Sequence, residues 1–172
     1  MAEWRRATAV WDRVFAAGPY KAINFGFCGD LTEHVLWRLD EGQFGCVNPK
    51  AIVVVIGTNN TGMSPLTGES PLDTVSGIRK IIAHLRASYP DAYIIWHPIF
   101  PRGATKDDPL RVRNDIVNDA AETYVRHMAA GDKKLLICDI NARLIDADGN
   151  LSRDMMPDLL HPAEKGYEIW AA

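Results

Sequence analysis

No run of lysine or arginine interrupts this sequence, and its formal net charge is -3. A nucleic-acid backbone or an anionic membrane would find no electrostatic footprint on it, so neither is expected as a partner. No apolar stretch is long enough to span a bilayer, and none has the layout of a signal-peptide core, so membrane insertion is not expected. The three cysteines, Cys28, Cys46 and Cys138, are odd in number and lack C-x-x-C or zinc-ligand spacing. That suits a reducing, cytoplasmic setting better than a disulfide framework, and it implies no metal. No glycine-rich phosphate loop joins a strand to a helix, which disfavours a flavodoxin-like nucleotide binder. What is present is ordinary for a water-soluble domain: 172 residues, 47% hydrophobic and 24% charged, enough to bury one sizeable core. A single domain over residues 1–172 is expected.

The organising stretch is Ala51 to Asn60, AIVVVIGTNN. Ile52 to Ile56 is an unbroken, largely β-branched run without polar alternation, which predicts a central parallel strand buried on both faces. It ends in Gly57, Thr58, Asn59 and Asn60, small residues at a strand's carboxyl edge, where ligands bind in open α/β sheets. Apolar spacing predicts helices over Trp4 to Phe15, Leu31 to Leu39, Leu72 to Ser88 and Pro109 to Ala129, with a short final one from Pro162 to Ala172. Further strands are expected at Ala22 to Phe27, Tyr93 to Ile99 and Leu135 to Ile140, and Thr61 to Pro71 reads as a turn-rich connection. Alternating strands and helices imply an α/β three-layer sandwich around a parallel sheet.

Right-handed crossovers gather the loops after the strands on one rim, which brings Gly26 to Asp30, Gly57 to Asn60 and Met155 to His161 into consideration together. Asp158 and His161 are three residues apart, so the carboxylate can hold the imidazole at Nδ1 and leave Nε2 as a general base. The Gly29 N–H and the Asn59 side-chain amide could donate to a developing oxyanion. Each residue taken singly also fits a structural role: Asp158 as a cap, His161 as a surface histidine, Asn59 and Gly29 as turn residues. Cys28 reads as a small buried packing residue rather than a nucleophile. Asp146 and Asp148 read as a plain turn, and His34, His84, His97 and His127 as ordinary residues.

Taken together, these segments resemble the SGNH or GDSL family of hydrolases, and within it the catalytic subunits of intracellular platelet-activating factor acetylhydrolase and their bacterial relatives. The similarity is carried by Asn24-Phe25-Gly26 with Gly29-Asp30, by His34 to Leu39, and by Gly57-Thr58-Asn59-Asn60. It continues in Pro101-Arg102-Gly103, in Pro109-Leu110-Arg111 with Asn114, and in Asp158-Leu159-Leu160-His161. The resemblance implies a flavodoxin-like sheet, an ester hydrolase using a serine acyl-enzyme on a small acyl ester such as an acetyl ester, no cofactor, and a homodimer. It casts Gly29 and Asn59 as the oxyanion hole, His161 as base and Asp158 as its orienting acid.

One block departs from the family. No Gly-Asp-Ser occurs, and Ser64, Ser70, Ser76, Ser88 and Ser152 all lie in other contexts. The expectation is therefore a fragment truncated at both ends, lacking the first strand and the nucleophile, with a shortened last helix and no turnover of its own. The alternative is a non-catalytic α/β module binding a small carboxylate or acyl ligand. A missing first strand would open the middle of the sheet, so a gap or distorted pairing between Ala22 to Phe27 and Ala51 to Ile56 is expected, with a tendency to associate.

Overall fold

Three parallel strands form the sheet of the computed structural model, which describes residues 8–172: β1 (Ala51–Val54), β2 (Tyr93–Trp96) and β3 (Leu135–Ile137), in the order β1-β2-β3. Val54 pairs with Trp96 and Trp96 with Ile137, which fixes the register and puts Ile52, Val54, Ile94, Trp96, Leu135 and Ile137 on one face. The connections run β1 to β2 to β3 in one direction, so right-handed crossovers place their helices on one face too. Those helices are α4 (Pro71–Ser88) and α5 (Pro109–Ala129). Ile78, Ile81, Ile82 and Leu85 of α4 and Val117, Ala121 and Val125 of α5 join Val54, Ile94, Trp96 and Leu135 in one core.

The structure divides into two compact units. The first comprises the described residues up to Phe27, Pro101–Arg111 and Ile140–Ala172; the second, Cys28–Phe100 and Val112–Asp139, holds the sheet. The first unit contains the π-helical turn α1 (Asp12–Ala16), α6 (Asn141–Leu144) and α7 (Glu164–Ala171), with Val10, Leu144, Leu151, Met155, Met156 and Ala163 buried. The second also contains α2 (Thr32–Asp40) and α3 (Thr58–Thr67). The amino-terminal part of the expected Trp4 to Phe15 helix, Trp4 to Ala7, lies outside the described residues.

Four expectations are corrected. Ala22 to Phe27 forms no strand: Lys21 ahead of it has a positive φ of 49°, and the Asn24 side chain takes the Gly26 N–H at 2.8 Å in a local turn that competes with ladder pairing. β1 is an edge strand, not the centre, and Val53 is 52% exposed, because the crossover helices cover only the face that Ile52 and Val54 share. β2 and β3 stop earlier than expected, β2 just before Pro98, which has no N–H to give a ladder.

Thr61 to Pro71, expected as a turn-rich connection, is mostly helix, α3 running to Thr67 and α4 starting at Pro71. Pro65 sits inside α3 and cannot donate to the Thr61 carbonyl four residues earlier. The Ser64 hydroxyl donates to that carbonyl instead, at 2.9 Å, and Gly68 ends the helix in the left-handed conformation with its N–H on the Ser64 carbonyl.

Candidate active site

In the sheet-bearing unit, α3 begins directly after β1 at Gly57, whose φ of 121° belongs to glycine. A Cβ there would meet Ile99 Cδ1 at 2.8 Å, so the close approach of the post-β2 loop also demands glycine. Asn59 therefore occupies the first turn of a helix, near its electropositive end. Its Nδ2 donates to the Asp30 carbonyl at 2.9 Å and ties the Gly29–Asp30 turn to α3. Gly29 has a φ of 83° with open space where a side chain would stand. The structure thus joins Asn59 to the Gly29 loop.

Buried polar contacts hold this arrangement from beneath. Asn60, 2% exposed, accepts the Thr32 N–H at 3.0 Å and donates to Glu33 at 3.0 Å. Burial pushes the Glu33 carboxyl up, but its own N–H, Asn60, Thr32 and the nearby His34 outweigh that and hold it below the ordinary range. The Asp30 carboxylate pairs with Arg38. Thr61 donates to Asn114 Oδ1 at 2.5 Å, and Asn114, fully buried, donates to the Phe100 carbonyl at 3.4 Å. Asn118 brackets Ile99, accepting its N–H at 2.7 Å and donating to its carbonyl at 2.9 Å. The post-β2 loop is thereby fastened to α5, and through Asn114 and Thr61 to α3.

In the other unit, Asp158 Oδ2 lies 2.7 Å from His161 Nδ1. Asp158 Oδ1 accepts the His161 N–H at 2.8 Å and the Leu160 N–H at 3.1 Å, so one carboxylate closes the turn and orients the ring. Partial burial raises the Asp158 carboxyl, yet the His161 ring, the two backbone N–H groups and the imidazole's charge together hold it below the ordinary range. A neutral ring with its Nδ1 proton directed at the carboxylate would leave the Nε2 lone pair for accepting a proton. The expected residues thus fall into two pairs, Gly29 with Asn59 and Asp158 with His161, one in each unit.

Other residues stand differently from expectation. Cys28 is exposed, not buried, because the loop from Gly26 to Asp30 carries it away from the core. His34 Nδ1 accepts the Leu31 N–H at 3.1 Å at the start of α2, a capping role. His97, only 3% exposed, is pushed down by burial, against the opposing pull of Asp139 and a bond to the Cys138 backbone. Ser88, outside any Gly-Asp-Ser context, nevertheless has a base beside it: its Oγ lies 3.2 Å from His84 Nδ1, and His84 Nε2 lies 3.3 Å from Asp40. The i, i+4 spacing of His84 and Ser88 was the available signal. Ser88 and His84 lie at the carboxyl end of α4 and Asp40 at the carboxyl end of α2, where helices present carbonyls that oppose a developing oxyanion, so the trio lacks the part acyl transfer needs most.

Among the described residues, no helix is long and apolar enough to cross a membrane. Comparison with known proteins places the chain further. It is 35% identical over 158 residues to the platelet-activating factor acetylhydrolase IB subunit alpha1 of Homo sapiens, covering 92% of this chain and 63% of that protein. It is 36% identical over 158 residues to subunit alpha2 of Rattus norvegicus, with the same coverage. The chain thus spans slightly under two thirds of these relatives. Among solved structures it is similar to a GDSL-like lipase from Bacteroides thetaiotaomicron, with a TM-score of 0.75, 16% identity, and 99% of this chain and 78% of that one covered. It is also similar to an acetylxylan esterase from Geobacillus stearothermophilus, with a TM-score of 0.69, 18% identity, and 96% and 75% covered. These two likenesses identify the α/β fold of SGNH hydrolases. The GDSL-like lipase/acylhydrolase family model matches residues 2–169, and the chain belongs to that family.

Proposed function

We propose that this chain carries the acid–base and oxyanion-stabilising residues of a carboxylic ester hydrolase acting on a small acyl ester, an acetyl ester foremost, within one SGNH-type domain. The observation that carries this reading is the 2.7 Å bond between Asp158 and His161 Nδ1, in a family of acylhydrolases. In the proposed reaction a serine hydroxyl attacks the acyl carbonyl and gives its proton to His161 Nε2, while Asp158 stabilises the imidazolium. The Gly29 N–H and Asn59 Nδ2 donate to the oxyanion; the second amide hydrogen of Asn59 is available for this while the first holds Asp30. His161 then passes its proton to the departing alcohol, and water, deprotonated by the same nitrogen, releases the acid.

The serine of a Gly-Asp-Ser block is not among these 172 residues. We propose that the polypeptide as given does not turn over esters by itself. Its hydrolysis of p-nitrophenyl acetate should equal that of a His161→Ala control. A stoichiometric acyl-enzyme burst would contradict this and would point to Cys28, which is exposed, or to Ser88 beside His84.

A further inference from the structure

The turn that carries the acid–base pair is backbone-strained. Leu159, between Asp158 and His161, has a φ of 61°, a conformation that side-chain-bearing residues adopt only when their surroundings impose it. The Gly103 N–H donates to the Leu159 carbonyl at 3.0 Å, and the Leu159 N–H donates to the Met156 carbonyl at 2.9 Å. Gly103 is itself in a positive-φ conformation, at 77°, and a Cβ there would run into the Asp108 carboxylate. The strap from Arg102 to Gly103 is in turn gripped by Arg111, which is 4% exposed. Arg111 Nε donates to the Arg102 carbonyl at 2.9 Å, Nη2 to the Gly103 carbonyl at 3.3 Å, and Nη1 to the Gly149 carbonyl at 3.5 Å.

A buried guanidinium spread over three backbone carbonyls is a rigid planar clamp, which a lysine ammonium cannot reproduce. We propose that Arg111 is a positioning residue: through the Arg102–Gly103 strap it holds Leu159 in its left-handed conformation and thereby keeps Asp158 on the His161 imidazole. Arg111 touches no reacting atom. The inference rests on the acid–base role proposed for His161, but its test requires no catalysis.

The test uses the full chain and Arg111→Lys, with amide exchange read residue by residue by NMR and the Asp158 carboxyl carbon followed through its titration. In Arg111→Lys the His161 amide, which donates to Asp158, should exchange about tenfold faster, while Ile94 and Trp96 in β2 keep their protection. The Asp158 titration should move up toward that of an ordinary aspartate. Adding Leu159→Gly, which takes a positive φ without strain, should restore both to within about threefold of the parent chain. Native exchange and titration in Arg111→Lys would overturn the proposal, and so would a loss that Leu159→Gly does not restore. Should Arg111→Lys not fold, Leu159→Val leaves the clamp intact but resists the positive φ; it must show the same local loss, and a fully protected His161 amide in it would overturn the proposal. Because these measurements need no serine, they can fail while the esterase reading stands, and the reverse.

Discussion

Replacing Ser64 with alanine should destabilise the chain because Pro65, four residues past Thr61, has no N–H for the Thr61 carbonyl and the Ser64 hydroxyl donates to it instead. The Ser64 hydroxyl donates to the Thr61 carbonyl at 2.9 Å and also accepts a bond from Arg113. An unsatisfied buried carbonyl costs about 1–3 kcal/mol. Arg113 is partly exposed and can turn to water, so its loss adds little. Alanine is the better helix former, returning about 0.5 kcal/mol. The net loss is about 1.5 kcal/mol, which for a domain of this size lowers Tm by about 3–6 °C. Pro65→Ala supplies the missing N–H, so in that background Ser64→Ala should cost less than about 0.5 kcal/mol, a coupling of about 1 kcal/mol. Urea and thermal denaturation of the four proteins at low micromolar concentration measure it. An equal cost of Ser64→Ala in both backgrounds would refute the account of how α3, the helix that starts at Asn59's turn, tolerates its proline.

Three further outcomes are expected. His97 is buried with its folded-state pKa depressed below the ordinary histidine value, so the unfolded chain binds the proton more readily; the stability it contributes is complete above about pH 6.5 and is lost as pH falls below that, and His97→Phe should flatten the dependence between pH 7 and 5 in denaturant titrations. Asp158 is also depressed, so its contribution is present above about pH 4 and is lost as pH falls below that; Asp158→Asn should be less stable than the parent at pH 6, by a margin that shrinks as pH falls below about 4. Val53, Tyr93 and Leu136 are 52%, 46% and 42% exposed on the face of the sheet opposite the crossover helices, with β1 at the sheet's edge among the described residues, so sedimentation velocity should show association that rises with concentration and weakens in Val53→Lys; a monomer at about 100 μM would contradict this.

The long amphipathic helices were legible because Val75, Ile78, Ile82 and Leu85, and Val117, Ala121 and Val125, repeat at the period of a helix packed on one side. The Asp158–His161 contact was legible from its i, i+3 spacing, since local hydrogen bonds alone bring Asp158 to His161. The Asn59 helix was hidden by Gly57, Pro65 and Gly68, three residues that ordinarily break helices and here start it, interrupt its bonding and cap it. The edge position of β1 could not be read from AIVVVIG, because apolar residues on both faces of a strand do not say which face is covered or which neighbours pair. The Arg111 clamp was beyond sequence reading for a related reason: its three acceptors are backbone carbonyls, which every residue type supplies.

The most direct test extends this chain at its amino end with a hydrophobic strand closing in Gly-Asp-Ser and measures p-nitrophenyl acetate hydrolysis. Turnover should appear, fall by about 10⁴-fold or more in His161→Ala, and fall by about 10²–10³-fold in Asn59→Ala. Asp158→Asn, which points an amide N–H at His161 Nδ1 and so selects the wrong tautomer, should lose about 10⁴-fold. Turnover that survives His161→Ala unchanged would contradict the assignment of His161 as the base.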